Sequence, residues 1–132
     1  MVMKKEKPTG FSELIYKMVE EKIGLIYKKK KIRIFARKVK GFDFFRGLMF
    51  CRRENADVLL FDFKNKTDLK IHSCFVFFPF LAVWLDDENK IIQKQIVVPW
   101  KVSVSPKRNF KKLIEIPFNK KYYKILKFLD GS

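Results

Sequence analysis

Apolar positions fall into two regimes along this chain. Phe11, Leu14, Ile15, Met18, Val19 and Ile23 recur at helical spacing and predict one amphipathic helix, with Glu13, Glu20 and Glu21 off the stripe. Pro8-Thr9-Gly10 breaks the chain before it, and Gly24 marks its end. Beyond Gly24 the pattern shortens towards a period of two. Leu25-Ile26-Tyr27 and residues 32–36 predict two strands around a lysine-rich turn at 28–31, which lacks the usual Asn-Gly signal. Ile32, Ile34 and Ala36 share one face, and Lys31, Arg33, Phe35 and Arg37 share a basic outer one. Gly41 opens a short helical segment over 42–48.

Residues 58–63 are almost continuously apolar, the pattern of a strand covered on both faces. A loop follows at 64–68. Residues 71–78 and 80–85 read as extended segments parted by Pro79, which a central strand rarely tolerates. A turn at 86–89, a strand at 90–98, a long loop at 99–106 and a last strand at 110–116 complete the pattern. A terminal helix over 118–128 carries Tyr122, Ile125, Leu126 and Leu129 on one side. The expected fold is mainly β: a jelly-roll-like β-sandwich or small barrel of about seven strands, with short helices and an N-terminal helix.

At 132 residues the chain has the length of one domain. We expect a basic tail and amphipathic helix over 1–24 and a single β-sandwich domain over 25–130. The longest apolar run, residues 74–85, has 12 residues and contains Pro79, against about 20 for a spanning helix. No apolar segment promptly follows the charged N-terminus, as a signal peptide requires. The expectation is therefore a cytoplasmic protein with no membrane span. Cys51 and Cys74 form neither a disulfide framework nor a CxxC pair; two half-buried thiols is the simpler reading, and a bridge between them stays open.

Charge changes the picture. The net charge is +16, of which residues 1–41 carry +9, residues 42–100 none and residues 101–132 +7. If the two ends meet in the fold they form one positive surface, suited to nucleic acid or an acidic protein. The alternative is compositional: with 24 Lys and 6 Arg, the excess also fits a coding bias. So few arginines argue against sequence-specific DNA reading, which favours the bidentate guanidinium fork.

Catalytic signals are sparse. His72 is the sole histidine, whereas a metal site needs three or four clustered ligands. On a strand, His72 and Cys74 would share a face, leaving a ligand or Cys–His pairing as the minor alternative to a structural role. Asp86, Asp87 and Glu88 read as a solvated turn. Arg46-Gly47 is poorly explained by core packing; its readings are a clamp on loop carbonyls or a carboxylate or phosphate receptor. Arg46, His72 and Trp100 each stand near the end of an element, where sandwiches place their sites. They form the candidate ligand-binding set, expected in one pocket; no cofactor or metal is expected.

The ordered motifs resemble a prokaryotic family, the domain of unknown function 192. Residues 46–50 (RGLMF) are similar to its RGLMF element, and 58–63 to its LLFxF strand. Ile71-His72-Ser73 with residues 75–79 is similar to its IHxxFMxFP element, and Val83-Trp84-Leu85-Asp86 to its IFLD strand. Pro99-Trp100 with Pro106 is similar to its PW…P loop, and residues 113–117 to its LELP strand. The resemblance covers about residues 25–130 and implies a compact jelly-roll sandwich without implying an activity. Where the family has an aspartate two residues after the proline, this chain has Leu81, so any site using that carboxylate is altered here.

Three readings follow. The first is a non-enzymatic binding or accessory domain with an anionic partner held by the basic ends. The second is a small-ligand pocket or enzyme around Arg46, His72 and Trp100. The third is a structural partner subunit using the helix stripe.

Overall fold

The computed structural model describes residues 20–39 and 46–130. They form six strands: β1 (Glu20–Tyr27), β2 (Lys30–Lys38), β3 (Leu59–Thr67), β4 (Phe80–Leu85), β5 (Ile91–Val97) and β6 (Phe110–Pro117). One helix, α1 (Tyr123–Asp130), follows a 3₁₀ turn at Lys120–Tyr122. The strands make a single mixed sheet in the order β1-β2-β3-β6-β4-β5, with β2 and β3 parallel and every other neighbour antiparallel. The sheet curls far enough for its edges to touch. The Ile26 N–H donates to the Asn89 carbonyl at 2.9 Å, beside an Ile26–Lys90 bridge between the ends of β1 and β5.

The mainly β expectation holds. Among the described residues there is one half-barrel sheet of six strands, where the pattern suggested a sandwich or barrel of about seven. The difference has a local cause. Residues 71–78 do not extend as a strand; they fold into turns, leaving only an Ile71–Val104 bridge. Conversely, β3 runs through the expected loop at 64–68 to Thr67, with a register irregularity against β6 between Asp62 and Thr67.

Each face of the curl buries a separate core. One face packs Ile23, Leu25, Ile34, Leu60, Val83 and Ile114 beneath Leu126 and Leu129 of α1. The opposite side packs Leu59, Phe61, Phe80, Trp84, Phe110 and Leu113 beneath loop residues such as Leu48, Val76, Phe78 and Val104. Alternate residues of β4 serve the two cores, so all six are buried. That explains why its sequence shows no polar face.

The helix expected up to Ile23 needs correction. Its stripe over residues 11–19 lies outside the described residues, but Glu20–Tyr27 is strand, paired with β2 from Glu20↔Arg37 to Tyr27↔Lys30. The expected boundary at 24 therefore falls inside β1. Ile23 and Leu25 alternate into the core beneath α1, and that period-two burial outweighs the helical spacing. The lysine turn lies where expected but is tighter than 28–31, because β2 already begins at Lys30 opposite Tyr27. Lys28 and Lys29 both lie in the left-handed region (φ 53° and 68°), the geometry of a type I′ hairpin turn. The segment expected over 42–48 falls outside the described residues up to Phe45. No helix among the described residues is long and apolar enough to cross a membrane.

Candidate functional site

Two of the three candidate residues line one cavity. Arg46 and His72 border a chamber of about 220 Å³, walled by apolar groups including Phe61, Phe63, Phe80 and Leu113. The Arg46 Nε–H donates to the Met49 carbonyl at 3.3 Å, and Nη2 reaches Cys51 Sγ at 3.4 Å. The guanidinium thus clamps its own turn while bordering the cavity. His72 Nδ1 accepts from the Cys74 N–H at 3.2 Å. Both cysteines are free thiols. Among the described residues no three His, Cys, Asp or Glu side chains gather as a metal site would require.

Glu115, which sequence reasoning passed over, also lines this cavity. It stands between Leu59 of β3 and Ala82 of β4 and is 6% exposed. Burial pushes its carboxyl from the ordinary 4.5 to about 8, so it is protonated at neutral pH. Gly47 lies over it in a left-handed conformation (φ 54°), and a Cβ there would sit 3.5 Å from Glu115 Oε1. Arg46-Gly47 is thereby explained: glycine permits the turn and the close approach. The signal available in the sequence was a lone acid inside the apolar run Leu113-Ile114-Glu115-Ile116.

Trp100 is elsewhere. It belongs to a surface cluster in which Phe50 stacks on Phe75 (5.1 Å between centroids) and Phe75 and Phe77 meet Trp100 edge-on at 4.9 and 5.8 Å. All four rings are exposed, Trp100 by 51%. Phe50, Phe75 and Trp100 have φ of 62°, 63° and 64°, a region that costs a bulky residue of order 1–3 kcal/mol. Ser73, fully buried, holds this arrangement. Its Oγ–H donates to the Val98 carbonyl at 2.6 Å and accepts from the Lys101 N–H at 2.7 Å, and its carbonyl accepts from the Trp100 N–H at 2.9 Å.

Among the described residues, β2 of the N-terminal basic segment meets the basic C-terminal segment. Arg33 and Phe35 of β2 face Lys121, Lys124 and Phe128 across a groove of about 400 Å³ beside α1. Arg53, Lys120, Lys121, Tyr123 and Lys127 line a wider one of about 900 Å³, which includes one acid, Glu54. Lys121 belongs to both. It pairs with Asp57 at 2.9 Å, whereas Arg33, Lys124 and Lys127 make no ion pair among the described residues. Aromatic rings stand among the cations: Lys22 Nζ lies 5.6 Å from the Phe35 ring centre and Lys127 Nζ 5.9 Å from that of Tyr123. Phe35 is 63% exposed.

No protein-family model and no curated protein matches the chain. Two solved structures share its fold. One, from Sinorhizobium meliloti and described as a "putative transcription regulator", is 16% identical and superposes with a TM-score of 0.66 over 80% of this chain and 85% of its own. The other, a protein of unknown function from Novosphingobium aromaticivorans, is 11% identical, with a TM-score of 0.61 over 80% of this chain and 78% of its own. At these identities the likeness speaks for the fold alone.

Proposed function

We propose that the chain is a non-enzymatic binding domain for single-stranded nucleic acid, held on the basic surface around α1. The observation that carries this reading is the meeting of Arg33 with Lys121 and Lys124 around the exposed ring of Phe35. Arg33 and Lys124, which make no ion pair among the described residues, keep their charge for phosphates, and an accessible ring offers a base a stacking face. An acidic protein would use the cations and leave the rings without a role. Lysine supplies a point charge in place of a planar fork, so the surface reads backbone and stacking rather than sequence. The ordered motifs resembling the domain of unknown function 192 support membership of that family and a jelly-roll ancestry for the curled sheet, and they add no activity.

The test is titration of a fluorescent oligothymidylate at several salt concentrations. Contact with four or five phosphates gives a log–log slope of about −3 for a single strand. Phe35→Ala should weaken binding about tenfold, the effect of losing one stacked base. A flat salt response, or displacement by polyglutamate as readily as by oligonucleotide, would reject the reading.

A further inference from the structure

The ring cluster around Trp100 lines neither basic groove. Phe50, Phe75, Phe77 and Trp100 close a circuit, with centroids 5.1 Å apart for Phe50–Phe75, 4.9 Å for Phe75–Trp100, 5.8 Å for Trp100–Phe77 and 6.5 Å for Phe77–Phe50. Among the described residues these rings meet no ring but one another. Each is 41% to 58% exposed, and Val98 and Val102, two residues to either side of Trp100, are exposed as well. Three of the four rings stand on left-handed residues, and strain of this kind persists where function needs it. Hydrogen bonds fix the loops that carry them: the Phe50 N–H donates to the Phe75 carbonyl at 3.0 Å and the Trp100 N–H to the Ser73 carbonyl at 2.9 Å. The protein thus spends backbone strain to hold apolar rings in water.

We propose that these four rings dock the protein, without spanning, on the surface of an anionic lipid bilayer. Size argues for a bilayer over a second copy of the chain. About half of roughly 200 Å² per ring gives about 400 Å² of aromatic surface. A stable protein interface takes about 800 Å² from each partner. A lipid interface accepts rings one by one and needs no matching surface, and tryptophan and phenylalanine are the side chains it favours. Charge selects the lipid. Counted over every residue the chain carries +16, which draws it to a negative leaflet at long range. Lys101, exposed beside Trp100, reaches headgroup phosphates by extending its stem while the ring enters the acyl boundary. This surface is separate from the nucleic-acid surface around α1 and does not rest on it.

The test uses vesicles of phosphatidylcholine, alone or with about 30% phosphatidylserine. The chain has two tryptophans, and Trp84 is wholly buried, so emission changes report Trp100. Wild-type protein should bind the anionic vesicles about tenfold or more above the neutral ones, with a blue-shifted emission that brominated lipid quenches. Trp100→Gly removes the ring and suits the left-handed φ of 64°, so the fold is kept. Phe77→Ser acts at a residue with ordinary φ. Each should lower partitioning about tenfold, the factor that goes with burying about 60 Å² of ring. Undiminished binding in both variants would show plain electrostatic adsorption and overturn the proposal. Equal binding to neutral vesicles, or an emission that brominated lipid leaves unquenched, would do the same without any variant. Self-association of the wild type that Trp100→Gly abolishes would give the rings to a second copy instead. Oligothymidylate affinity should be the same in Trp100→Gly as in wild type; a loss would assign the rings to nucleic acid and end the docking reading. The vesicle result stands whether or not oligothymidylate binds, so the two readings fail separately.

Discussion

Glu115 makes a quantitative demand on the pH dependence of folding. In the unfolded chain its carboxyl ionises at 4.5, and in the folded protein at about 8. The native state therefore holds a proton that the unfolded state releases between these values. Stability contributed by this group is highest below pH 4.5, falls as pH rises to about 8, and is flat beyond. Each pH unit in that window is worth about 1.4 kcal/mol, so the penalty at pH 7 is about 3 kcal/mol. Glu115→Gln has nearly the same shape and never ionises. The cost of burying its amide is the same at every pH and cancels in a comparison between pH values. The expected result is a Glu115→Gln advantage over wild type that grows by about 3 kcal/mol between pH 4.5 and pH 7, followed by urea unfolding with the m-value held as a check on two-state behaviour. A difference that does not change with pH would refute the buried, protonated carboxyl.

Three further outcomes test the fold around the sites. Replacing Lys28-Lys29 by Asn-Gly should raise stability by about 1 kcal/mol, because both positions are left-handed and Asn-Gly adopts a type I′ turn readily; thermal unfolding measures it. Ser73→Ala should cost about 2 kcal/mol by stranding the Lys101 N–H and the Val98 carbonyl, and should broaden the Trp100 indole resonance. Leu129→Ala empties a fully buried position on the sheet-facing side of α1 and should cost about 3 kcal/mol, with oligonucleotide binding weakened as the helix loosens from the sheet.

Much of the fold was legible where burial follows one period. The β1–β2 hairpin, the apolar β4 and the Leu126/Leu129 side of α1 all follow the hydrophobic pattern directly. It failed where a pattern was compatible with two geometries. Ile23 completes a helical stripe by spacing, yet it is buried as a strand residue opposite Ile34. Residues 71–78 are apolar enough for a strand, but left-handed Phe75 and the bonds of Ser73 fold them back over the sheet. Arg46 and His72 were drawn together by their positions near element ends. Trp100 shares that property but points a surface ring elsewhere, since adjacency to an element says nothing of which side of a loop faces a cavity. Glu115 escaped notice because an acid in a strand normally marks a solvent face; the partner strands Leu59 and Ala82 on either side of it are invisible in the linear chain. The basic surface was anticipated as a condition, that the two ends of the chain meet. Among the described residues, α1 beside β2 meets it for the part of the N-terminal segment in β2.

The most direct test of nucleic-acid binding is to locate the bound strand. Amide chemical-shift mapping with oligothymidylate should perturb β2 around Arg33 and Phe35 and the segment from Lys120 through α1, with Arg33→Glu/Lys124→Glu abolishing the shifts while leaving the spectrum of the sheet intact. Perturbations centred instead on Phe50, Phe75 and Trp100, or persisting undiminished in the charge-reversed protein, would contradict the account.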